Sequence, residues 1–251
     1  ENHSEDLFLY VGRYHPLETL GCGSNGSVDL VRDIKTGAEY ALKTMSTVAQ
    51  VARTDLEGFQ TEFETLKNLN HPSICQVYDA GHDGGHSCYY LVTELVKGMD
   101  LFRATNNLSF FEIEDLFVQA LRAFNYLHQS DVVHLDVKPQ NLLVETQGNK
   151  HQLKIIDFGF ANFLKRKSRE EGSNTSLIIG TAAYVAPEII KGESFDRRAD
   201  LYSLGITFYK AFTRKLPFEG AIVSGIHQRH LNETPDKPTA INSQLPKYID
   251  A

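Results

Sequence analysis

The sequence predicts an α+β chain: a small antiparallel-sheet lobe with one main helix, followed by a larger, mostly helical lobe. Three observations carry this expectation: apolar residues alternate through the first third, one stretch of helical periodicity interrupts them, and helical periodicity takes over after residues 94–98.

Residues 27–32 and 39–44 read as strands, with Lys35, Thr36 and Gly37 as the turn of an antiparallel hairpin. A strand containing Leu17 and Leu20 precedes them. Leu56, Phe59, Phe63, Leu66 and Leu69 recur at helical spacing over 56–69, and His71 with Pro72 marks the stop. Two further strand-like runs, 74–78 and 88–94, lead to Lys97 and Gly98, where the pattern breaks. One domain, 1–251, is therefore divided into a small lobe, 1–96, with a hinge near 94–98, and a large lobe, 97–251. In the large lobe 111–128 and 199–212 are helical in period, and the polar run 165–176 reads as an exposed loop.

With 251 residues, 41% of them hydrophobic, the chain can bury an ordinary core. The net charge of −7, from 32 acidic and 25 basic residues, offers no broad cationic surface for nucleic acid. No stretch approaches the roughly 18 apolar residues of a membrane-spanning helix, so a soluble, cytoplasmic chain is expected. Cys22, Cys75 and Cys88 fit no disulfide framework and suit a reducing compartment. His82, His86 and Cys88 lack a fourth ligand and sit in what reads as a Gly-rich turn, so they are not taken as a metal site. The first residue is Glu1 rather than Met, which suggests a fragment.

The chemistry concentrates in a few segments. Gly21, Gly23 and Gly26 lie between two strands, where a backbone without side chains can cover phosphates, although ordinary hairpins share such a pattern. Lys43, on the partner strand, needs an anion or a carboxylate if it points inward, and Glu62 on the following helix can supply one. A solvated surface pair is the plain alternative. The decisive stretch is His134, Leu135, Asp136, Val137, Lys138, Pro139, Gln140, Asn141, followed by Asp157, Phe158 and Gly159. Phosphoryl transfer needs hard oxygen ligands for magnesium, which suits Asn141 and Asp157, and a carboxylate to orient the attacking hydroxyl, which suits Asp136.

These segments, with Ala186-Pro187-Glu188, occur in an order and spacing that resembles the eukaryotic-type protein kinase family, over roughly residues 17–216. The resemblance implies a two-lobed kinase fold, ATP and Mg2+ as the required small molecules, and a protein substrate with a Ser or Thr acceptor. It implies that Lys43 holds the α- and β-phosphates and pairs with Glu62, that Asp157 and Asn141 bind magnesium, and that Asp136 and Lys138 act on the acceptor hydroxyl and the transferring phosphoryl. By the same resemblance the adenine lies against Leu20, Val28, Ala41, Leu143 and Ile156, backbone groups of Glu94 and Val96 form the hinge, Thr93 guards the back of the pocket and Asp100 reaches the ribose. Leu66, Val77, His134 and Phe158 look like a stacked apolar column whose base Asp200 anchors through the backbone of the loop around Asp136.

Lys138 and Thr181 are similar to the marks of the serine/threonine branch. The resemblance departs at Leu135, where the family usually has Arg, which implies little dependence on loop phosphorylation despite the basic run at 165–169. Gln140 stands where many basophilic kinases carry Glu. The chain stops at Ala251 before the family's last helices, so an incomplete large lobe, finished by further chain or by a regulatory or completing partner, is expected. A nucleotide-binding scaffold and a small-molecule phosphotransferase are the rival readings; intact Lys43, Asp136, Asn141 and Asp157 count against the first, and the 180–188 segment against the second.

Overall fold

The computed structural model describes residues 9–23, 26–46, 63–85, 88–157 and 182–250. The expected helix over 56–69 is described only from residue 63, and residues 63–67 are helical; Thr181 and the polar run 165–176 lie outside the described residues. The fold separates into two compact units, one of Glu1–Asn70 with Cys75–Lys97 and one of His71–Ile74 with Gly98–Ala251.

The first unit is an antiparallel sheet in the order β1-β2-β3-β5-β4, formed by β1 (Tyr14–Gly23), β2 (Gly26–Asp33), β3 (Glu39–Ser46), β4 (Val77–Asp83) and β5 (Cys88–Thr93). The β2–β3 turn closes as its sequence suggests: Asp33 Oδ1 accepts from Lys35 N–H at 2.9 Å, and Gly37 takes the left-handed backbone at φ 75°. One face of the sheet carries the core of Tyr14, Val31, Leu42, Tyr90 and Val92, with Tyr10 and Tyr40 against it.

The strand expected at 74–78 is displaced: β4 starts at Val77 and runs on to Asp83, into the stretch read as a Gly-rich turn, where Gly84 and Gly85 do form a turn. The reason is the ladder offered by β5, which pairs Gly81 with Tyr90 and His82 with Tyr89. A Cβ at Gly81 would lie 3.0 Å from the Tyr90 ring, so glycine here makes room for its cross-strand neighbour. His82 stacks edge-on against Tyr89 at 5.0 Å, and Cys88 is buried.

The second unit holds a small sheet of β6 (Met99–Asp100), β7 (Leu142–Gln147) and β8 (Lys150–Ile155). Ile74 forms a parallel bridge with Ile155, and Ile155 N–H donates to Ser73 O at 2.8 Å, which is why residues 71–74 belong to this unit rather than to the strand expected there. Gly98 passes so close to β7 that a Cβ would meet Val144 O at 2.7 Å.

Around this sheet lie α1 (Leu101–Ala104), α2 (Phe110–Gln129), α3 (Pro187–Ile190), α4 (Arg198–Thr213), α5 (Val223–Asn232) and α6 (Pro238–Ile241). The periodicities at 111–128 and 199–212 locate α2 and α4 to within a residue at each end. A capping box starts α2, with Ser109 and Glu112 satisfying each other's backbone N–H groups, and Ile113, Leu116, Ala120, Ala123, Phe124 and Leu127 form its buried stripe. At the end of α4, Arg214 takes the left-handed conformation and its N–H donates to Lys210 O at 2.8 Å. Among the described residues no helix is long and apolar enough to cross a membrane.

The fully buried Asp33 is the clearest electrostatic anchor of the first unit. Arg13 donates to its Oδ2 at 2.8 Å and holds its carboxyl down at about 2, against the opposing effect of burial and with help from Lys35 N–H and the Thr36 hydroxyl. Ionised Asp33 therefore stabilises the fold above about pH 4, and that contribution is lost as pH falls toward 2. Asp33→Asn is expected to cost about 1–3 kcal/mol in urea denaturation at pH 6, with the deficit shrinking between pH 4.5 and pH 3. A deficit that stays constant over that range would rule this role out.

Candidate active site

The second unit builds a cluster around Asp136. After α2 the chain runs without regular structure to Lys138, and Pro139 then opens a single 3-10 turn, Pro139–Asn141, its fixed φ suiting the first helical position. This turn folds Asn141 back onto Asp136: Asn141 Nδ2 donates to Asp136 Oδ2 at 2.9 Å and to Asp136 O at 2.8 Å. Lys138 Nζ donates to both carboxylate oxygens, at 3.1 and 2.8 Å. The pair is largely but not wholly buried, with side-chain exposures of 22% for Lys138 and 15% for Asp136, so the carboxylate is held in place yet reachable. Two residues of the HLDVKPQN segment, Lys138 and Asn141, thus converge on the carboxylate of a third, and a short turn achieves it.

His134 ties this cluster to the segment carrying Asp157. Its Nδ1 accepts from Asp136 N–H at 3.2 Å, so the ring proton belongs on Nε2, which donates to Ile156 O at 3.1 Å. Ile156 N–H in turn donates to Asn141 O at 2.9 Å. Asp157 follows directly, with a left-handed backbone at φ 64°. Asn141 spends both amide hydrogens on Asp136, so its oxygen Oδ1 is the atom left for a ligand, and the Asp157 carboxylate one residue beyond Ile156 is a second hard donor. An all-oxygen set of this kind suits magnesium. Phe158 and Gly159 lie outside the described residues.

Beneath the loop sits Asp200, fully buried on the first turn of α4. Its carboxylate accepts from His134 N–H at 2.8 Å, from Leu135 N–H at 2.7 Å and from His128 Nε2 at 2.9 Å. The two backbone bonds are those expected from the sequence; the His128 bond, from the last turn of α2, was not foreseen. A polar residue at the end of an amphipathic helix carries no mark distinguishing a buried partner from a solvated helix end.

Leu135 adopts φ 61°, a conformation that costs a branched side chain on the order of 1 kcal/mol or more. Asp200 holds its N–H, and its side chain is buried with Ala186 and Ala199, against Val133, Ile189, Phe195 and Tyr202. An apolar contact therefore joins the loop to the Ala186-Pro187-Glu188 segment. Just before it, Ala183 and Tyr184 are buried with Ile206 and Phe218, and Ser203 Oγ donates to Tyr184 O at 2.6 Å. Ser203 was also missed, although it shows as a polar interruption in the buried face of α4.

The remaining nucleotide candidates divide by unit. In the first, Lys43 pairs with Val28 and Leu91, and Ala41 with Leu30 and Thr93, so Val28, Ala41, Lys43 and Thr93 share the face of the sheet opposite the Tyr14–Leu42 core. Leu20, Gly21 and Gly23 end β1, Gly23 pairs with Gly26, and the turn residues 24–25 lie outside the described residues, as does Glu62. Glu94 N–H donates to Gln76 O at 2.8 Å, its carbonyl accepts from Cys75 Sγ at 3.4 Å, and Val96 is half-buried. In the second unit, Asp100 pairs with Leu143 between β6 and β7. Its carboxylate caps α1, accepting from Arg103 N–H at 3.1 Å, a local duty that the sequence reading did not foresee.

A family model described as the protein kinase domain matches residues 14–249. A probable serine/threonine-protein kinase PknB of Bifidobacterium longum is 32% identical over 255 aligned residues, covering 97% of this chain and 36% of its own length. Calcium-dependent protein kinase 4 of Plasmodium falciparum is 35% identical over 217 residues, 85% of this chain and 40% of that protein. Serine/threonine-protein kinase PrkC of Bacillus subtilis is 30% identical over 242 residues, 95% and 36% respectively. The chain thus spans well under half the length of these relatives.

Removing the Asp200 carboxylate leaves two buried backbone N–H groups and an imidazole without their acceptor. Asp200→Ala is expected to cost about 3–5 kcal/mol in chemical denaturation and to remove hydrogen-exchange protection at the amides of His134 and Leu135. Undiminished protection at both amides would contradict this assignment.

Proposed function

Because the chain belongs to the protein kinase family, we propose that it transfers the γ-phosphoryl group of ATP to serine or threonine hydroxyls of protein substrates. The observation that carries this reading is the Asp136 carboxylate, gripped by Lys138 at 3.1 and 2.8 Å and by Asn141 at 2.9 Å in a cluster still open to solvent. The printed names of two of the relatives given above, serine/threonine-protein kinases, support the same acceptor class.

In this reading Asp136 accepts a hydrogen bond from the substrate hydroxyl and orients its oxygen for in-line attack, taking the proton as the new P–O bond forms and the bond to the ADP oxygen breaks. Lys138, fixed on the same carboxylate, meets the negative charge of the transferring group as it approaches. Asn141 Oδ1 and the Asp157 carboxylate hold magnesium, which supplies neutralisation of the phosphate oxygens. Lys43, partnered by Glu62, serves the α- and β-phosphates, and Val28 and Ala41, on its face of the sheet, serve the adenine. Leu20, Gly21, Gly23, Gly26, Thr93, Glu94, Val96, Asp100, Leu143 and Ile156 complete the nucleotide contacts proposed from the resemblance.

Leu135 shapes regulation in the same reading. Where the family's usual arginine would await a phosphate, this chain buries a leucine against Ala186 and Ile189, so the Ala186-Pro187-Glu188 segment is held by apolar contact and needs no phosphate to hold it.

Asp136→Asn is expected to lower kcat by a factor of about 10²–10⁴, and Asp157→Ala to abolish transfer, measured with γ-labelled ATP, magnesium and a generic acceptor protein, with mass spectrometry identifying the modified residues. Transfer that survives both substitutions, or that reaches tyrosine alone, would sink the proposal. Phosphatase treatment of the purified protein is expected to leave most of the activity intact; loss of activity on dephosphorylation would show that a phosphate is needed after all.

A further inference from the structure

The chain carries a net charge of −7, yet the segment from Leu201 to Phe218 contains three cations, Lys210, Arg214 and Lys215, and no acidic residue. Two of these cations converge on one aromatic ring. Lys210 Nζ lies 4.4 Å and Arg214 Cζ 3.8 Å from the centroid of Phe102 on α1. Among the described residues neither has a carboxylate partner. Within the same described residues Lys210 donates to the Tyr184 hydroxyl alone, at 3.4 Å, and Arg214 donates to Thr105 Oγ1 at 2.9 Å, to Phe102 O at 3.0 Å and to Asn106 Oδ1.

The neighbours leave that charge unanswered. Burial, then the charge of Asp100, push the Tyr184 hydroxyl up to about 12, so it meets Lys210 as a neutral oxygen. Asp100, the carboxylate beside α1, is committed to the helix cap and to Arg103, whose Nε lies 3.7 Å from its Oδ2. Gln140, exposed on the turn that packs against α1, is uncharged. Arg214 uses three of its five donors to tie α1 and the turn after it to the end of α4, whereas Lys210, among the described residues, makes one long bond and keeps two N–H donors.

The position of this charge gives it meaning. Tyr184 stands two residues before Ala186-Pro187-Glu188, and α1 packs against the turn that holds Asn141 on Asp136. We propose that Lys210, backed by Arg214, is an anion subsite for an acidic or phosphorylated side chain of the acceptor polypeptide, near the serine or threonine to be modified. This deepens the kinase reading and rests on it. Lys210 is then a specificity-determining residue, and the chain selects acceptors flanked by negative charge. A carboxylate and a phosphoserine share the chemistry that Lys210 recognises, and the test separates them.

Synthetic peptides with one serine acceptor and with glutamate, phosphoserine or arginine at each flanking position would be compared by kcat/KM with Mg-ATP, for the parent protein, Lys210→Gln and Lys210→Glu. The parent is expected to prefer glutamate over arginine by on the order of tenfold at one flanking position, Lys210→Gln to lose that preference and Lys210→Glu to invert it, with the contrast shrinking as salt is raised. Phosphoserine far above glutamate would assign the subsite to a phosphorylated acceptor; parity would assign it to carboxylates. An acidic-to-basic ratio that is the same in all three proteins overturns the inference, leaving both cations as stacking partners of Phe102. Fluorescence anisotropy of the labelled peptides keeps the two levels apart. A Lys210-dependent preference in binding without phosphate transfer would sustain the subsite and sink the transferase reading, and no such preference in either assay would sink the subsite.

Discussion

The buried carboxylate of Asp200 is the constraint on which the second unit depends. Residues 132–138 form no helix or strand, so their backbone donors have no ladder to pair with, and a buried N–H left alone costs about as much as a lost hydrogen bond. Asp200 answers two of them and the imidazole of His128 together. The cost of burying its charge is offset by three short, charge-assisted bonds. In this way α2, α4 and the loop that carries Asp136 are tied to a single side chain.

From that anchor the geometry passes outward by short steps. His134, held at its backbone by Asp200, uses its ring to join Asp136 to Ile156, and Asn141 joins the same two segments from the other side. These links lie inside one unit, and the Lys138–Asp136 ion pair completes the cluster. Leu135 adds a different kind of link. Its strained backbone is held by Asp200, while its side chain is buried against Ala186 and Ala199, so the loop and the Ala186-Pro187-Glu188 segment share an apolar core.

The legibility of these features in the sequence varied with the physics behind them. Periodicity located α2 and α4 because an amphipathic helix must repeat its apolar stripe. The polar cluster of Asp136, Lys138 and Asn141 was legible because the three residues stand within one short segment that Pro139 folds back on itself. The strand at Val77–Asp83 was misplaced because its sequence, rich in small and polar residues, is strand only by virtue of the partner lying beside it. Ile74, apolar and at the start of the strand-like run, pairs instead with Ile155 and belongs with it to the second unit.

The sequence by itself determined the class of the fold, the principal helices and the residue types able to carry phosphoryl chemistry, since composition, period and spacing are local properties that a linear chain displays. Only the tertiary structure decided that Asp100 caps a helix, that His128 reaches Asp200, that Leu135 is buried against Ala186, and that Lys210 and Arg214 meet on Phe102 with no carboxylate partner among the described residues. Each of these is a choice of partner, and partners more than a hundred residues apart, such as Phe102 and Arg214, meet only through the packing of whole elements, whose hydrogen-bond and charge requirements are settled together in three dimensions.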